Sequence, residues 1–274
     1  MAKILLTGGT GHLGRDLVPA LLASGYNVRL LARQARDDTT VEWSVGDLAT
    51  GSGLDEALRG IDTVIHAATL SPIAKRGVRL VDFFFSPPDV DVHGTERLLA
   101  ASRRAGVSHF IFISIVGLEG CTLPYARVKL AGERQVRDSS ISWSVIRATP
   151  FYYLLAQMLA GLKWLPVWPL PVSPSNPVDT RDLADYIAKA VGDGKRGVRP
   201  EIGGPEVMPF SNLARQYRDA LGLWRFVLPV PVSHKMSLAM GLVETTECLG
   251  NRHWADWLAE HCVRRQVRDG LSLG

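Results

Sequence analysis

An α/β fold, a doubly wound parallel sheet covered by helices, is what this chain predicts, and three observations carry that expectation. Strand-like apolar runs alternate with helix-like periodic segments through the first two-thirds. A glycine-rich loop, TGGTGHLG at 7–14, stands between the first strand and the first helix. The composition, 46% hydrophobic and 21% charged over 274 residues, supplies a full core for one large domain with or without a small appendage.

The elements follow in order. KILLTG (3–8) is a short apolar run ending in glycine, hence a buried strand, and RDLVPALLAS (15–24) has helical spacing with Gly25 as its stop. NVRLLAR (27–33) and VEWSVGD (41–47) are the next strands. SGLDEALRG (52–60) reads as a helix opened by a Ser52 cap and closed by glycine. TVIHAA (63–68) is a strand, HGTERLLAASRRAG (93–106) a helix, and HFIFISIVG (109–117) a strong strand. YARVKLAGERQVRDS (125–139) is amphipathic and helical, and SWSVIRAT (142–149) returns to strand. Beyond 150 the pattern loosens into a helix at 152–162, a Pro-rich segment, a capped helix at 179–194 and another at 210–222 with Ser211 as N-cap. The last forty residues read as helical, with Trp254 and Trp257 on WADWLAEH. The division expected is a dinucleotide-binding domain over 1–150 and a small, mostly helical substrate-binding part over 151–274, with 178–205 returning to the sheet domain.

The formal net charge of +4 is spread along the chain rather than clustered, which argues against nucleic acid as partner while favouring small anionic ligands. Three scattered cysteines, Cys121, Cys248 and Cys262, and the start MAKILLTGGTG without a charged leader predict a cytosolic protein with reduced thiols. His66, His93 and His109 lack mutual metal-ligand spacing and read as core or surface residues, so no metal is expected. Residues 151–172 approach the length of a membrane span, but Gln157 and Lys163 interrupt them and Pro166, Pro169 and Pro171 break any helix. A cover over an apolar ligand pocket is the better reading, with no membrane among the partners.

The loop at 7–14 carries the chemistry. Gly8, Gly11 and Gly14 permit a tight turn, a close approach of backbone to a pyrophosphate, and close packing of helix on sheet. Thr10, His12 and Leu13 complete the cradle, and the helix N-terminus offers N–H groups to the phosphates. This is the dinucleotide site of a Rossmann-type sheet. The second strand ends on Arg33, with Arg36 close behind and no acid there. A guanidinium suits the 2′-phosphate of NADP(H), whereas an acid would suit the 2′-hydroxyl of NAD; a solvated arginine pair is the plainer alternative. Asp47 and Leu48, ending the third strand, meet the adenine edge or simply close a loop. Ala67 and Ala68, ending the fourth, are small enough to let the cofactor pass.

TGGTGHLG and Tyr125-x-x-x-Lys129 resemble the TGxxGxxG and YxxxK motifs of the short-chain dehydrogenase/reductase superfamily, in its atypical NmrA-like branch. HGTERLLAASRRAGVSHFIFIS, SWSVIRATPFYY, PVDTRDLADYI, GGPEVMPFSNLAR and WADWLAE look like successive blocks of it, so the likeness covers nearly the whole chain. It implies that Lys129 binds the nicotinamide ribose and lowers the pKa of Tyr125, which donates a proton to a carbonyl oxygen. Residues four apart share a helix face, so both can meet one cofactor. The superfamily's usual serine is displaced: Ser114 is the strand's one hydroxyl, and the usual position falls on Ile115. Ser114 is therefore a catalytic, cofactor-contacting or plain strand residue. Phe151, Tyr152, Tyr153, Trp164 and Trp168 either line an apolar substrate pocket or fill a core, and Phe83, Phe84 and Phe85 invite the same two readings.

The function expected is an NADP(H)-dependent oxidoreductase acting on a carbonyl or quinone of a small hydrophobic molecule. Alternatives are a non-catalytic NADP(H)-binding redox sensor and an epimerase on the same site. A homodimer is implied by the superfamily alone.

Overall fold

The computed structural model describes residues 2–34, 39–69, 88–121, 124–194, 196–239 and 242–263. Its elements are β1 (Lys3–Thr7), α1 (His12–Ala23), β2 (Asn27–Ala32), β3 (Glu42–Val45), α2 (Leu54–Ala57), β4 (Thr63–His66), α3 (Pro88–Asp91), α4 (His93–Arg104), β5 (His109–Ile115), α5 (Pro124–Arg137) and β6 (Trp143–Ala148). There follow α6 (Tyr152–Gly161), β7 (Val167–Pro171), β8 (Pro174–Ser175), α7 (Thr180–Gly192), β9 (Gly197–Val198), β10 (Met208–Pro209), α8 (Phe210–Ala220), β11 (Phe226–Val230), α9 (His234–Ala239) and α10 (Trp254–Leu258).

Seven strands form one parallel sheet in the order β3-β2-β1-β4-β5-β6-β9. The fold class is therefore the doubly wound Rossmann type. Chain order reverses between β1 and β4, and ligands of such sheets bind in the crevice at the carboxyl ends there. Because successive strand residues point to opposite faces, Ile4 and Leu6 pack with α1 and α7 on one side. Leu5 joins Val64, Phe110 and Phe112 beneath α2 and α4 on the other. A third core, built from Tyr152, Leu159, Trp168, Phe210, Tyr217, Val227 and Trp254, belongs to α6, α8, α10 and the separate β7–β11 pair.

Sequence and structure differ at several ends. Ser52 does not cap α2; Gly53 does, at φ +73°, and the helix is one short turn, Leu54–Ala57. A side chain at 53 would collide with the Val45 carbonyl, so only glycine turns the chain there. Ser211 lies buried inside α8, whose N-cap is Pro209. The Phe210 N–H donates to the Ser173 carbonyl at 2.8 Å, and the helix starts two residues before the position a Ser211 cap would set. The end of the chain is less helical than its pattern suggests: within the described part of the last forty residues, 242–253 hold no regular element, and only α9, α10 and a π-turn at Ala259–Val263 are helical. Asp179 does cap α7, accepting from the Arg181 N–H at 2.8 Å.

One buried ion pair ties α5 to the sheet. Arg147 of β6 grips Glu133 with two bonds of 2.9 Å, while Arg137 adds another of 2.9 Å. Glu133 is 1% exposed, so its charge depends on these guanidiniums, and the carboxylates of Glu133 and Glu119 hold Arg147's pKa above its ordinary value. Replacing Glu133 by Ala removes the buried partner of Arg147, leaving it the outer carboxylate of Glu119, and is expected to cost about 3 kcal/mol, read as a lower urea midpoint; Arg147→Met with Glu133→Leu should recover much of that loss.

Candidate functional site

The glycine loop rises from β1 and lies against the loop after β4. Gly8 takes φ +78°, and a Cβ on it would sit 2.7 Å from the Ala68 nitrogen. Ala67 and Ala68 thus form the wall the loop turns against. The Gly11 N–H donates to the Gly8 carbonyl at 3.0 Å and closes the turn. A side chain on Gly14 would overlap backbone atoms of Gly8 and Gly9, so α1 begins hard against the loop. No side chain caps α1 and no acid occupies its first turn, which leaves the positive end of the helix to an anion. Thr10, Gly11 and His12 are exposed there, while Leu13 and Gly14 are buried. The residues present fit a dinucleotide pyrophosphate.

Behind that loop runs a chain of buried polar groups. The Ala68 N–H donates to Thr7 Oγ1 at 3.2 Å, and Thr7 Oγ1 lies 2.7 Å from His66 Nδ1. His66 Nε2 lies 3.0 Å from Thr95 Oγ1, which donates to the Asp91 carbonyl at 2.7 Å. Direction fixes the tautomer: Thr95 spends its proton on Asp91, so His66 carries its proton on Nε2 and accepts at Nδ1. Asp91 Oδ1 receives the Thr69 hydroxyl at 2.5 Å and lies 3.7 Å from Lys129 Nζ. Burial, and next the Lys129 charge, push His66 down to about 3, so the ring is neutral.

Lys129 is itself 4% exposed. Its ammonium donates to the Ile113 carbonyl at 3.4 Å and lies 5.2 Å from the Phe112 ring centre and 5.9 Å from that of Tyr125. Tyr125 and Lys129 thus occupy one face of the first turns of α5. Ser114 follows Ile113 and shares its side of the sheet with Phe112; its hydroxyl is buried and meets no hydrogen-bond partner among the described residues. Sequence reasoning missed Asp91, Thr95 and Thr7. Asp91 and Thr95 stand four apart in DVHGT, a spacing that puts them on one helical face.

The loop after β6 completes the rim. Tyr153 stacks on His12, ring centres 3.9 Å apart and planes 12° from parallel, and Phe151 leans on Tyr153 at 5.7 Å. Burial, and next the Tyr125 phenol, raise the pKa of Tyr153, while burial and then Arg15 lower that of His12. His12, Tyr153 and Tyr125 therefore gather at one edge of the glycine loop.

Other expected residues are placed elsewhere. Trp168 is fully buried in the third core, donating to the Leu162 carbonyl at 2.8 Å, and so lines no pocket. Tyr152 is 3% exposed and donates to the Arg252 carbonyl at 2.8 Å; it is core too. Trp164 is 77% exposed and packs into no cavity wall. Both corrections follow from β-strand and helix periodicity, which sends alternate aromatics inward. Asp47 accepts the Ala49 N–H at 2.9 Å and so closes its own loop, and Leu48 is in the core. Arg33 is exposed just past β2. Arg36 and Phe83, Phe84 and Phe85 lie outside the described residues. Among the described residues no group of His, Cys, Asp or Glu could hold a metal, and no helix is long and apolar enough to cross a membrane.

Fold and loop together define an NAD(P)H-binding α/β protein. The chain belongs to the NAD(P)H-binding family whose model matches residues 8–193. It is 30% identical over 199 residues to the photosystem II assembly factor Ycf39 of Trieres chinensis, covering 69% of this chain and 59% of that one. It is also 30% identical over 228 residues to a (4-alkanoyl-5-oxo-2,5-dihydrofuran-3-yl)methyl phosphate reductase of Streptomyces griseus, covering 80% and 74%. The Escherichia coli NADPH-dependent quinone oxidoreductase QOR2, complexed with NADPH, shares the fold with a TM-score of 0.73 at 15% identity, over 94% of this chain and 99% of its own.

Keeping His66 neutral makes stability depend on pH. The folded value of about 3 lies below the unfolded one, so this stability is complete above the ordinary histidine pKa and is lost as pH falls from there toward 3. From pH 7 to pH 5 it should shrink by roughly 2 kcal/mol, and urea melts of His66→Gln should show a pH slope flatter by about one proton.

Proposed function

We propose that the chain is an NADP(H)-dependent oxidoreductase reducing a carbonyl or quinone group of a small hydrophobic molecule in the cytosol. The observation that carries this reading is Tyr125, one helical turn before the buried Lys129, at the edge of the glycine loop. The bound dinucleotide supplies hydride. Tyr125 gives its phenolic proton to the substrate oxygen. Lys129, anchored by Asp91, keeps its ammonium on the Tyr125 side of the site and would hold the ribose of a bound dinucleotide. Ser114 has a hydroxyl without a partner among the described residues, free to bond a substrate or cofactor oxygen. The His12–Tyr153 stack forms an aromatic rim beside the site.

NADP(H) rather than NAD is favoured by Arg33, exposed past the end of β2 with no acid on that end. Reduction is favoured by relatives that are reductases, including the Streptomyces griseus enzyme. The rival reading, an NADP(H) sensor without turnover, is favoured by one observation: the Lys129 ammonium already faces a carboxylate.

NADPH consumption measured against quinones and aromatic ketones tests the reading. Tyr125→Phe is expected to lower kcat about 100-fold or more with unchanged NADPH affinity. Unchanged turnover removes Tyr125 as donor, and tight NADPH binding with no turnover on the panel favours the sensor. Arg33→Glu should weaken NADPH binding by about tenfold or more and leave NADH binding nearly unchanged.

A further inference from the structure

The paired strands β7 and β11 present an outer face unlike the rest of the surface. Their register sets Phe226 beside Val167 and Leu228 beside Pro169. Trp168 and Val227, the alternate residues, are buried beneath. The outward set is therefore a flat apolar sheet, with Phe226 62% exposed. Two indoles extend it: Trp224 is 94% exposed and Trp164 is 77% exposed. The segments that carry them run together, since Arg225 donates to the Lys163 carbonyl at 2.9 Å and the Phe226 N–H donates to the Pro166 carbonyl at 3.1 Å.

Cations accompany the aromatics. Lys163 precedes Trp164, and Arg225 sits between Trp224 and Phe226. Arg225 donates to the carbonyls of Lys163 and Trp224, and Arg218 reaches the Arg225 carbonyl at 3.4 Å. Asp219 is paired with Arg218 at 2.7 Å, so it offsets a single one of these cations. The patch is thus apolar, aromatic and net positive.

We propose that this face docks the protein on an anionic lipid surface, with the indoles at headgroup depth and Lys163, Arg218 and Arg225 against lipid phosphates. Amphipathic rings next to basic side chains match the two layers of a membrane interface. A second copy of the chain is a poorer occupant, since a two-fold axis would bring the same cations together. The expectation of no membrane partner came from the lack of a spanning helix, and docking on a surface needs none. This inference does not rest on the proposed oxidoreductase activity.

The test is sedimentation of the full chain with vesicles of phosphatidylcholine alone and of phosphatidylcholine mixed with phosphatidylglycerol. The protein should pellet with the mixed vesicles at low salt, be released by high salt, and stay in solution with phosphatidylcholine alone. Arg225→Glu should weaken partitioning roughly fivefold or more, and Trp224→Ser with Phe226→Ser should abolish it. Melting temperature and NADPH affinity should hold in every variant, which separates lost docking from lost folding. Equal pelleting with both vesicle types, no pelleting with either, or no effect of the double variant overturns the proposal. So does light scattering that finds a dimer which the double variant disperses, since that assigns the face to a second copy.

Discussion

Lys129 organises the rim of this sheet because a buried ammonium cannot stand alone. At 4% exposure it needs a carboxylate, and Asp91, equally buried, stands 3.7 Å away. Asp91 in turn is held from two directions, by the hydroxyl of Thr69 on its carboxylate and that of Thr95 on its carbonyl. Thr95 then meets His66, and His66 meets Thr7 at the root of the glycine loop. The cradle for phosphates and the lysine of α5 are therefore parts of one hydrogen-bonded object spanning β1, β4 and α4. A protonated His66 would donate at Nδ1 where it now accepts, so Thr7 would have to turn its proton away and lose that bond to the ring. Neutrality of that ring and charge on that lysine are two aspects of the same packing.

Much of this sheet was legible in the chain itself. Apolar runs separated by helical periods specify parallel strands, and TGGTGHLG marks where the first crossover begins. What could not be read lay in contacts remote along the sequence. Asp91 and Lys129 are far apart in the chain, and nothing in DVHGT says that its aspartate faces an ammonium rather than water. Caps failed for a related reason. Ser52 and Ser211 are good capping residues by type, but the turn at Gly53 and the bond from Phe210 to Ser173 decided the helix starts.

The C-terminal part hid its strands behind proline. VWPLP and FVLPV alternate inward and outward residues as strands do, yet each contains proline, which a central strand excludes. The contradiction dissolves because β7 and β11 make a sheet of two, so both are edges. A proline there has a free side on which its missing N–H costs nothing. The same geometry accounts for Trp168 and Trp164, neighbours in composition and opposite in fate. One sits on the inward phase of a strand and fills a core; the other stands in the preceding turn, in solvent.

The three cores divide what similarity can carry. Those on the two sides of the sheet are built almost wholly from residues within the matched span, 8–193, and they fix the glycine loop, Lys129 and the rim. The third draws heavily on Phe210, Leu213, Tyr217, Val227, Leu242 and Trp254, all beyond it. The chain also covers only 59% of the assembly factor Ycf39. The glycine contacts beside the first two cores are close-packed and leave no room for a side chain at Gly8, Gly14 or Gly53. The third core can be repacked without moving β1 or α1. The glycine loop is thus held apart from the residues after β6, which are the place to look for what distinguishes this chain from its relatives.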